Sequence, residues 1–135
     1  MTVGATPRWI SETTIVTLHS RSLALHGGAP GLRDQGLLES ALARPLNRYA
    51  YDGVNDIAEL AATYAAALSS NRPFVGGNNR TAFLGMGLFL ELNGLGLKAG
   101  PADAALTMLQ VAAGRVGIAE LTQWVGGNVE ASALG

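Results

Sequence analysis

Apolar residues recur at intervals of three and four along most of this 135-residue chain, the spacing of helices with one buried face. The first run follows Ser11, a residue type that caps helix starts, and stops at a glycine pair, which predicts a helix over residues 12–26. A second run follows the capping residue Asp34. We expect Pro45 to end it, because proline lacks the N–H that a helix interior requires.

The rest of the chain continues the helical pattern. Asn55 is the expected cap of a third helix, whose apolar stripe over residues 57–68 predicts a central, buried position. A fourth helix, apolar on all sides, is expected from Asn78 to Asn93. Two shorter helices, over 103–113 and 118–125, complete an all-α fold, a compact bundle of about six helices in one domain over residues 1–135, with frayed ends at 1–7 and 128–135.

One segment departs from the helical pattern. Tyr49 and Tyr51 alternate with smaller or polar residues, and Asp52-Gly53 is a frequent turn dipeptide. The sequence therefore predicts a small extended flap near residues 46–54.

Composition excludes several classes of function. Nine basic and ten acidic residues give a net charge of -1, which disfavours a broad nucleic-acid or membrane footprint. Without cysteine the chain has no thiolate nucleophile, disulfide or cysteine-bound zinc. His19 and His26 are seven residues apart, a poor spacing for chelation, so we expect packing or surface roles and no metal. With no signal peptide or spanning segment, a soluble cytoplasmic protein is expected.

The segment NRPFVGGNNRT, residues 71–81, lies between two hydrophobic helices and opens the second. Gly76 and Gly77 let the backbone curl, and a helix start offers unpaired N–H groups and a positive dipole end, which suits phosphate or carboxylate. Arg80, on the first turn, is placed to clamp the same anion. The alternative is an ordinary interhelical turn in which Asn78 serves as the cap.

This segment resembles the signature of the Fic/Doc family, His-x-Phe-x-Asp/Asn-Gly/Ala-Asn-Lys-Arg-Thr-Ala. The matching residues are Phe74, Gly77, Asn78, Arg80, Thr81 and Ala82. The stretches LHSRSLALHGGAPGLRDQGLLESALARP (residues 18–45) and FLELNG (residues 89–94) resemble segments of the Doc, or death-on-curing, branch, and the resemblance runs from residue 8 to about residue 125. Phe83 stands where Fic proteins proper carry a second arginine, which favours that branch.

The resemblance implies a cytoplasmic toxin of a toxin–antitoxin pair that transfers a phosphoryl group from ATP to a threonine of elongation factor Tu and blocks translation. Relatives without the Doc features usually transfer AMP instead. The family's histidine is the base, its acidic residue binds Mg²⁺, its Gly-Asn turn forms an anion hole, and its lysine and arginine hold the phosphates.

Two kinds of partner are implied by the same resemblance. A Phd-type antitoxin would lay a C-terminal helical segment into a groove of the toxin. The flap tyrosines, Tyr49 and Tyr51, would dock an extended segment of the target by strand addition. The alternative for this tyrosine pair is that it only covers the edge of the core.

The chain departs from the signature at three catalytic positions. Arg72 replaces the histidine and stays protonated at any working pH, so it cannot act as a base. Gly76 replaces the acidic metal ligand, and Asn79 replaces the lysine. Gly77, Asn78 and Arg80 remain as the expected phosphate-binding residues. Because a lost general base alone typically costs about 10²- to 10⁴-fold, we expect an inactivated transferase that binds ATP and Mg²⁺ weakly.

The origin of these replacements stays open among natural decay, escape from a lethal toxin and deliberate inactivation. The rival hypothesis is a pseudoenzyme that keeps a nucleotide or partner surface and performs no transfer. A nucleic-acid binder is a third reading, which the net charge disfavours.

Overall fold

The computed structural model describes residues 6–132, which form six α-helices and one two-stranded antiparallel sheet. The all-α bundle of six helices predicted from the sequence is therefore confirmed. The helices are α1 (Glu12–His26), α2 (Gln35–Asp52), α3 (Ile57–Asn71), α4 (Asn78–Leu92), α5 (Pro101–Ala112) and α6 (Ile118–Gly126), and the strands are β1 (Leu95–Leu97) and β2 (Val129–Ala131).

The α3 helix is the centre of the bundle and packs against α2, α4 and α6, as its apolar stripe predicts. Leu60, Tyr64 and Leu68 are buried along it. The Tyr64 ring lies 5.0 Å from the ring of Phe89 on α4. Its hydroxyl accepts a hydrogen bond from the Ile10 N–H at 3.1 Å, so the one polar atom of this buried ring is satisfied.

Side-chain caps set the starts of the first three helices. The hydroxyl of Ser11 accepts from the Thr14 N–H at 3.1 Å, and α1 has the predicted bounds. Asp34 caps α2 as predicted. The expected Asn55 cap of α3 is wrong by one residue, because the Asp56 carboxylate accepts from the Ala58 N–H at 3.3 Å.

The second helix contradicts two predictions. Pro45 does not end it, and residues 46–52 of the expected flap form its last turns. Pro45 is buried, and Arg48 beyond it bonds Glu59 and Thr63 of α3. This packing outweighs the missing proline N–H. The Asp52-Gly53 dipeptide ends a helix and does not form a hairpin turn, since Gly53 is the C-cap of α2 with a left-handed φ of 70°.

The end of the described chain is ordered as a strand, which corrects the expected fraying after residue 127. Strand β2 pairs with β1 in the register Leu95↔Ala131 and Leu97↔Val129, and the side chain of Val129 packs against the core. Pro7 is also buried, within the expected frayed start. Residues 1–5 and 133–135 of those two segments lie outside the described residues. Within residues 6–132, no helix is both long and apolar enough to cross a membrane.

Candidate anion site at the start of α4

The connection between α3 and α4 contains two left-handed residues. Arg72 is the C-cap of α3, with φ 48° and ψ 58°, and its N–H donates to the Leu68 carbonyl at 3.1 Å. Residues other than glycine rarely adopt this backbone conformation, because their Cβ crowds the following carbonyl oxygen. Gly77 has φ 74° and forms the cap of α4. The chain therefore curls between the two helices, as the glycine pair predicts.

This loop is fixed to the segment between α1 and α2. The Arg33 N–H donates to the Pro73 carbonyl at 2.7 Å, and the Arg33 Nε donates to the Arg72 carbonyl at 2.8 Å. The Val75 N–H donates to the Gly31 carbonyl at 2.9 Å. These hydrogen bonds between the two segments help to fix the geometry of the loop before α4.

Asn78 braces the loop rather than capping the helix. Its side chain is buried, its Oδ1 accepts from the Phe74 N–H at 2.9 Å, and its Nδ2 donates to the Phe74 carbonyl at 2.8 Å. The reading of Asn78 as an N-cap is therefore wrong, since Gly77 occupies that position without a side-chain bond. The Asn78 side chain is committed to the loop, so only its main-chain N–H is available to an anion.

Four consecutive backbone N–H groups at this helix start have no acceptor. In the stretch from residue 6 to residue 132, no oxygen accepts from the N–H groups of Gly77, Asn78, Asn79 or Arg80. The first intrahelical bond, from the Thr81 N–H to the Gly77 carbonyl, begins beyond them. Unpaired N–H groups and the dipole of α4 therefore converge where the sequence predicts an anion cradle.

The four residues that carry these N–H groups line a cavity of about 880 Å³, within the roughly 300–1,000 Å³ typical of small-molecule sites. Arg72, Arg80, Asn79 and His26 line its polar end. Among the described residues, neither arginine has a carboxylate partner, and no lining residue is acidic. The polar end therefore carries positive charge that nothing inside the cavity neutralises.

The cavity also has an apolar wall. It is built by Phe83 of α4 and by Pro101, Met108 and Leu109 of α5. A positively charged end and an apolar wall together suit a ligand that carries phosphates on one side and a flat, weakly polar ring on the other.

The three departures from the family signature fall in different places. Arg72 and Asn79 line the cavity, whereas Gly76 does not. A Cβ at Gly76 would lie 3.0 Å from the backbone nitrogen and 3.2 Å from the carbonyl oxygen of Ala29. The loop after α1 therefore fills the space next to the position where the family has its metal ligand.

His19 of α1 contacts the loop, a role that the sequence did not predict. It is 3% exposed on α1, its Nε2 donates to the Gly76 carbonyl at 2.7 Å, and its ring stacks on Phe74 at 3.8 Å. Its place four residues after Ile15 and three before Ser22, on the buried stripe of α1, was the available signal. A packing or surface role was expected, but its contact with the loop at residues 71–81 was not predicted.

The tyrosine pair is not part of this cavity. Tyr49 and Tyr51 lie in the last turns of α2 and not in an extended flap, so they offer no strand edge, and a docking role for them stays a prediction. The Tyr49 ring contacts Trp9 edge-on at 5.5 Å, as expected for a tyrosine that covers the core edge. Tyr51 is 83% exposed.

The cavity suits a nucleotide better than it suits a metal ion. Mg²⁺ binds in proteins through one or two carboxylates beside the phosphates of its substrate, and the lining supplies none. No group of three or more His, Asp or Glu side chains elsewhere in residues 6–132 is arranged to hold a metal.

The sequence profile of the Fic/Doc family matches residues 9–90, which include α1 to α3, most of α4 and the loop that opens α4. The chain therefore belongs to this family. It is 36% identical over 101 residues to the protein kinase Doc of Escherichia phage P1, covering 75% of this chain and 80% of that protein. It is 39% identical over 74 residues to the toxin Doc of Mycolicibacterium smegmatis, covering 54% of this chain and 57% of that protein. These similarities support a toxin of the Fic/Doc family.

Proposed function

We propose that this protein is the toxin partner of a Doc-type toxin–antitoxin pair, and that its cavity holds ATP while its own transfer chemistry is disabled. The toxin assignment is supported by the two Doc relatives and the match to the family. The cytoplasm is the proposed place of action.

ATP binding is the part of the proposal that the chain's own residues support most directly. The N–H groups of Gly77, Asn78 and Asn79 donate to phosphate oxygens, and Arg80 adds a guanidinium from the first turn of α4. The nucleoside lies against the apolar wall of α5. The observation that carries the proposal is the row of unpaired N–H groups on residues that line a cavity with two unpaired arginines.

Transfer requires groups that the chain lacks. In a transferase of this type a base accepts the proton of the attacking hydroxyl, and Arg72 stands at that position already protonated. Mg²⁺ in such enzymes neutralises phosphate charge, but Gly76 gives it no ligand. Asn79 donates a neutral hydrogen bond where a lysine would add a charge. The expected turnover is therefore close to zero.

Calorimetry with ATP tests the binding half of the proposal. Wild-type protein should bind ATP, and with Mg²⁺ present the Kd should lie above roughly 100 μM. Arg80→Gln should weaken binding by about tenfold, because a charge-assisted hydrogen bond is lost. Arg115→Gln is the matched control, since Arg115 is an exposed arginine in the turn after α5, away from the cavity. Absence of ATP binding by the folded wild-type protein would refute the nucleotide site.

A reversion tests the ancestral activity. We expect Arg72→His, Gly76→Asp and Asn79→Lys together to arrest growth, and co-expression of a Phd-type antitoxin, the proposed partner, to relieve the arrest. Label transferred from γ-labelled ATP would identify phosphoryl transfer, with a threonine of elongation factor Tu as the proposed acceptor. Label from α-labelled ATP would identify AMP transfer. A folded revertant that neither arrests growth nor labels any lysate protein would contradict the transferase ancestry.

The second candidate function is a binding module that never performed transfer. It is favoured by the loop at residues 27–31, which packs closely on Gly76 and leaves little room for an acidic side chain. Under this hypothesis, ATP binding persists in the wild-type protein while the revertant stays inactive.

A further inference from the structure

The polar end of the cavity carries two arginines and no carboxylate. Arg72 and Arg80 both line it, and neither has an ion-pair partner within residues 6–132. Arg72 is the departure that matters most here, because a guanidinium at this position adds a permanent positive charge and several N–H donors beside the cradle.

A metal ion carried by a triphosphate finds no carboxylate ligand among the residues lining this end. The lining residues include no carboxylate, and position 76 is enclosed by the backbone of Ala29 at 3.0–3.2 Å from any added Cβ. Mg²⁺ on a triphosphate also occupies phosphate oxygens and neutralises part of their charge. Both effects weaken the binding of the Mg²⁺ complex by Arg72 and Arg80.

We infer that this cavity binds the metal-free form of a nucleoside triphosphate in preference to its Mg²⁺ complex, with Arg72 acting as an additional phosphate ligand. This inference rests on the proposed nucleotide site and adds the ionic form of the ligand that the site selects. It also gives Arg72 a binding role at a position where a general base is absent.

Calorimetric titration of the whole chain with ATP tests the preference, once with EDTA and once with excess Mg²⁺. Ionic strength is matched between the two titrations, because salt screens exposed charge pairs. The Kd for ATP should be at least about fivefold lower with EDTA than with Mg²⁺. Mg²⁺ occupies phosphate oxygens that the arginines would otherwise bind, and loss of one charge-assisted hydrogen bond weakens binding by about tenfold.

Variants separate the contribution of Arg72 from general charge. Arg72→Gln should weaken ATP binding in EDTA by about tenfold and bring the two Kd values close together. Arg115→Gln removes the same charge from the turn between α5 and α6, outside the cavity, and should preserve the preference. Circular dichroism melting of each variant confirms that the compared proteins are folded.

Three results would overturn the inference, and they are distinguishable. Tighter ATP binding with Mg²⁺ than with EDTA refutes the metal-free preference while leaving the nucleotide site intact. No ATP binding by the folded protein in either buffer refutes the nucleotide site itself. An unchanged preference in Arg72→Gln also contradicts the role given to Arg72.

Discussion

The Nε2 atom of His19 lies 2.7 Å from the carbonyl oxygen of Gly76 and joins α1 to the loop that opens α4. A carbonyl oxygen only accepts, so Nε2 carries the proton in this bond. The C=O of Gly76 and the N–H of Gly77 belong to one peptide plane and point in opposite directions. By holding the carbonyl towards α1, His19 fixes the Gly77 N–H on the opposite side, where Gly77 lines the cavity.

Replacing His19 by phenylalanine should weaken ATP binding as well as stability. The aromatic ring remains to stack on Phe74, but the Gly76 carbonyl loses its buried donor, at a cost of about 1–3 kcal/mol in unfolding free energy. The Gly77 N–H is then less well fixed, and the Kd for ATP should rise several-fold. The control is Ile15→Val on the same helix, which should lose about 0.5–1.5 kcal/mol and leave the Kd unchanged. Equal Kd values in both variants would show that His19 acts only on stability.

Adding one methyl group at two glycines should have opposite effects on stability. Gly76→Ala places a Cβ within 3.0–3.3 Å of three Ala29 atoms, and overpacking of this kind costs about 1–3 kcal/mol. Gly87→Ala on α4 meets nothing within 4 Å and removes a flexible residue from a helix interior, which should gain about 0.5–1 kcal/mol. Chemical denaturation of both variants measures the difference. A stable Gly76→Ala protein would mean that the loop at residues 27–31 yields readily.

Arg72→Gly should stabilise the fold. Arg72 holds a left-handed conformation that costs a residue with a Cβ about 1–2 kcal/mol, and glycine adopts it freely. After the extra flexibility of glycine in the unfolded chain is counted, the net gain is about 1 kcal/mol. Arg72→Ala keeps the strained backbone and should show no such gain. Thermal unfolding compares the two variants, and equal melting temperatures would argue against strain at this position.

The stability of the protein should fall at strongly alkaline pH because of Tyr64. Burial raises the pKa of its hydroxyl above the usual 10.0, and the hydrogen bond from Ile10 opposes this only partly. A pKa raised in the folded state means that this stabilisation is complete below pH 10.0 and is lost as pH rises through the folded pKa. Tyr64→Phe should flatten the alkaline decline while costing about 1 kcal/mol at neutral pH. An identical alkaline decline in both proteins would assign it to other groups.

The helices could be predicted because their signals are local. Ser11 and Asp34 bond N–H groups only three residues away, so the capping residue and the apolar stripe can be read together. Asp52-Gly53 shows the limit of such signals, since a left-handed glycine serves a hairpin turn and a helix end equally well. Strand β2 was missed because its pairing with β1 joins residues more than thirty positions apart, and three-residue strands leave almost no pattern.

The same distinction holds within the site. The glycine turn and the helix start at Asn78 lie in one short segment, and the sequence placed them correctly. The bond from His19 to Gly76 spans 57 positions, and the contact of Ala29 with Gly76 spans a similar distance. Neither leaves a trace in local spacing. The bracing role of Asn78 was missed for a different reason, since an asparagine at a helix start most often caps it.

The apolar wall of the cavity comes from α5, which begins at Pro101, whereas the family profile ends at residue 90. In the proposed nucleotide site, the residues that would bind phosphate and those that would contact the base therefore lie in separate parts of the sequence. Substitutions in α5 would then change which nucleobase is accepted without altering the loop at the start of α4. We expect relatives that share the signature to differ in nucleobase selectivity.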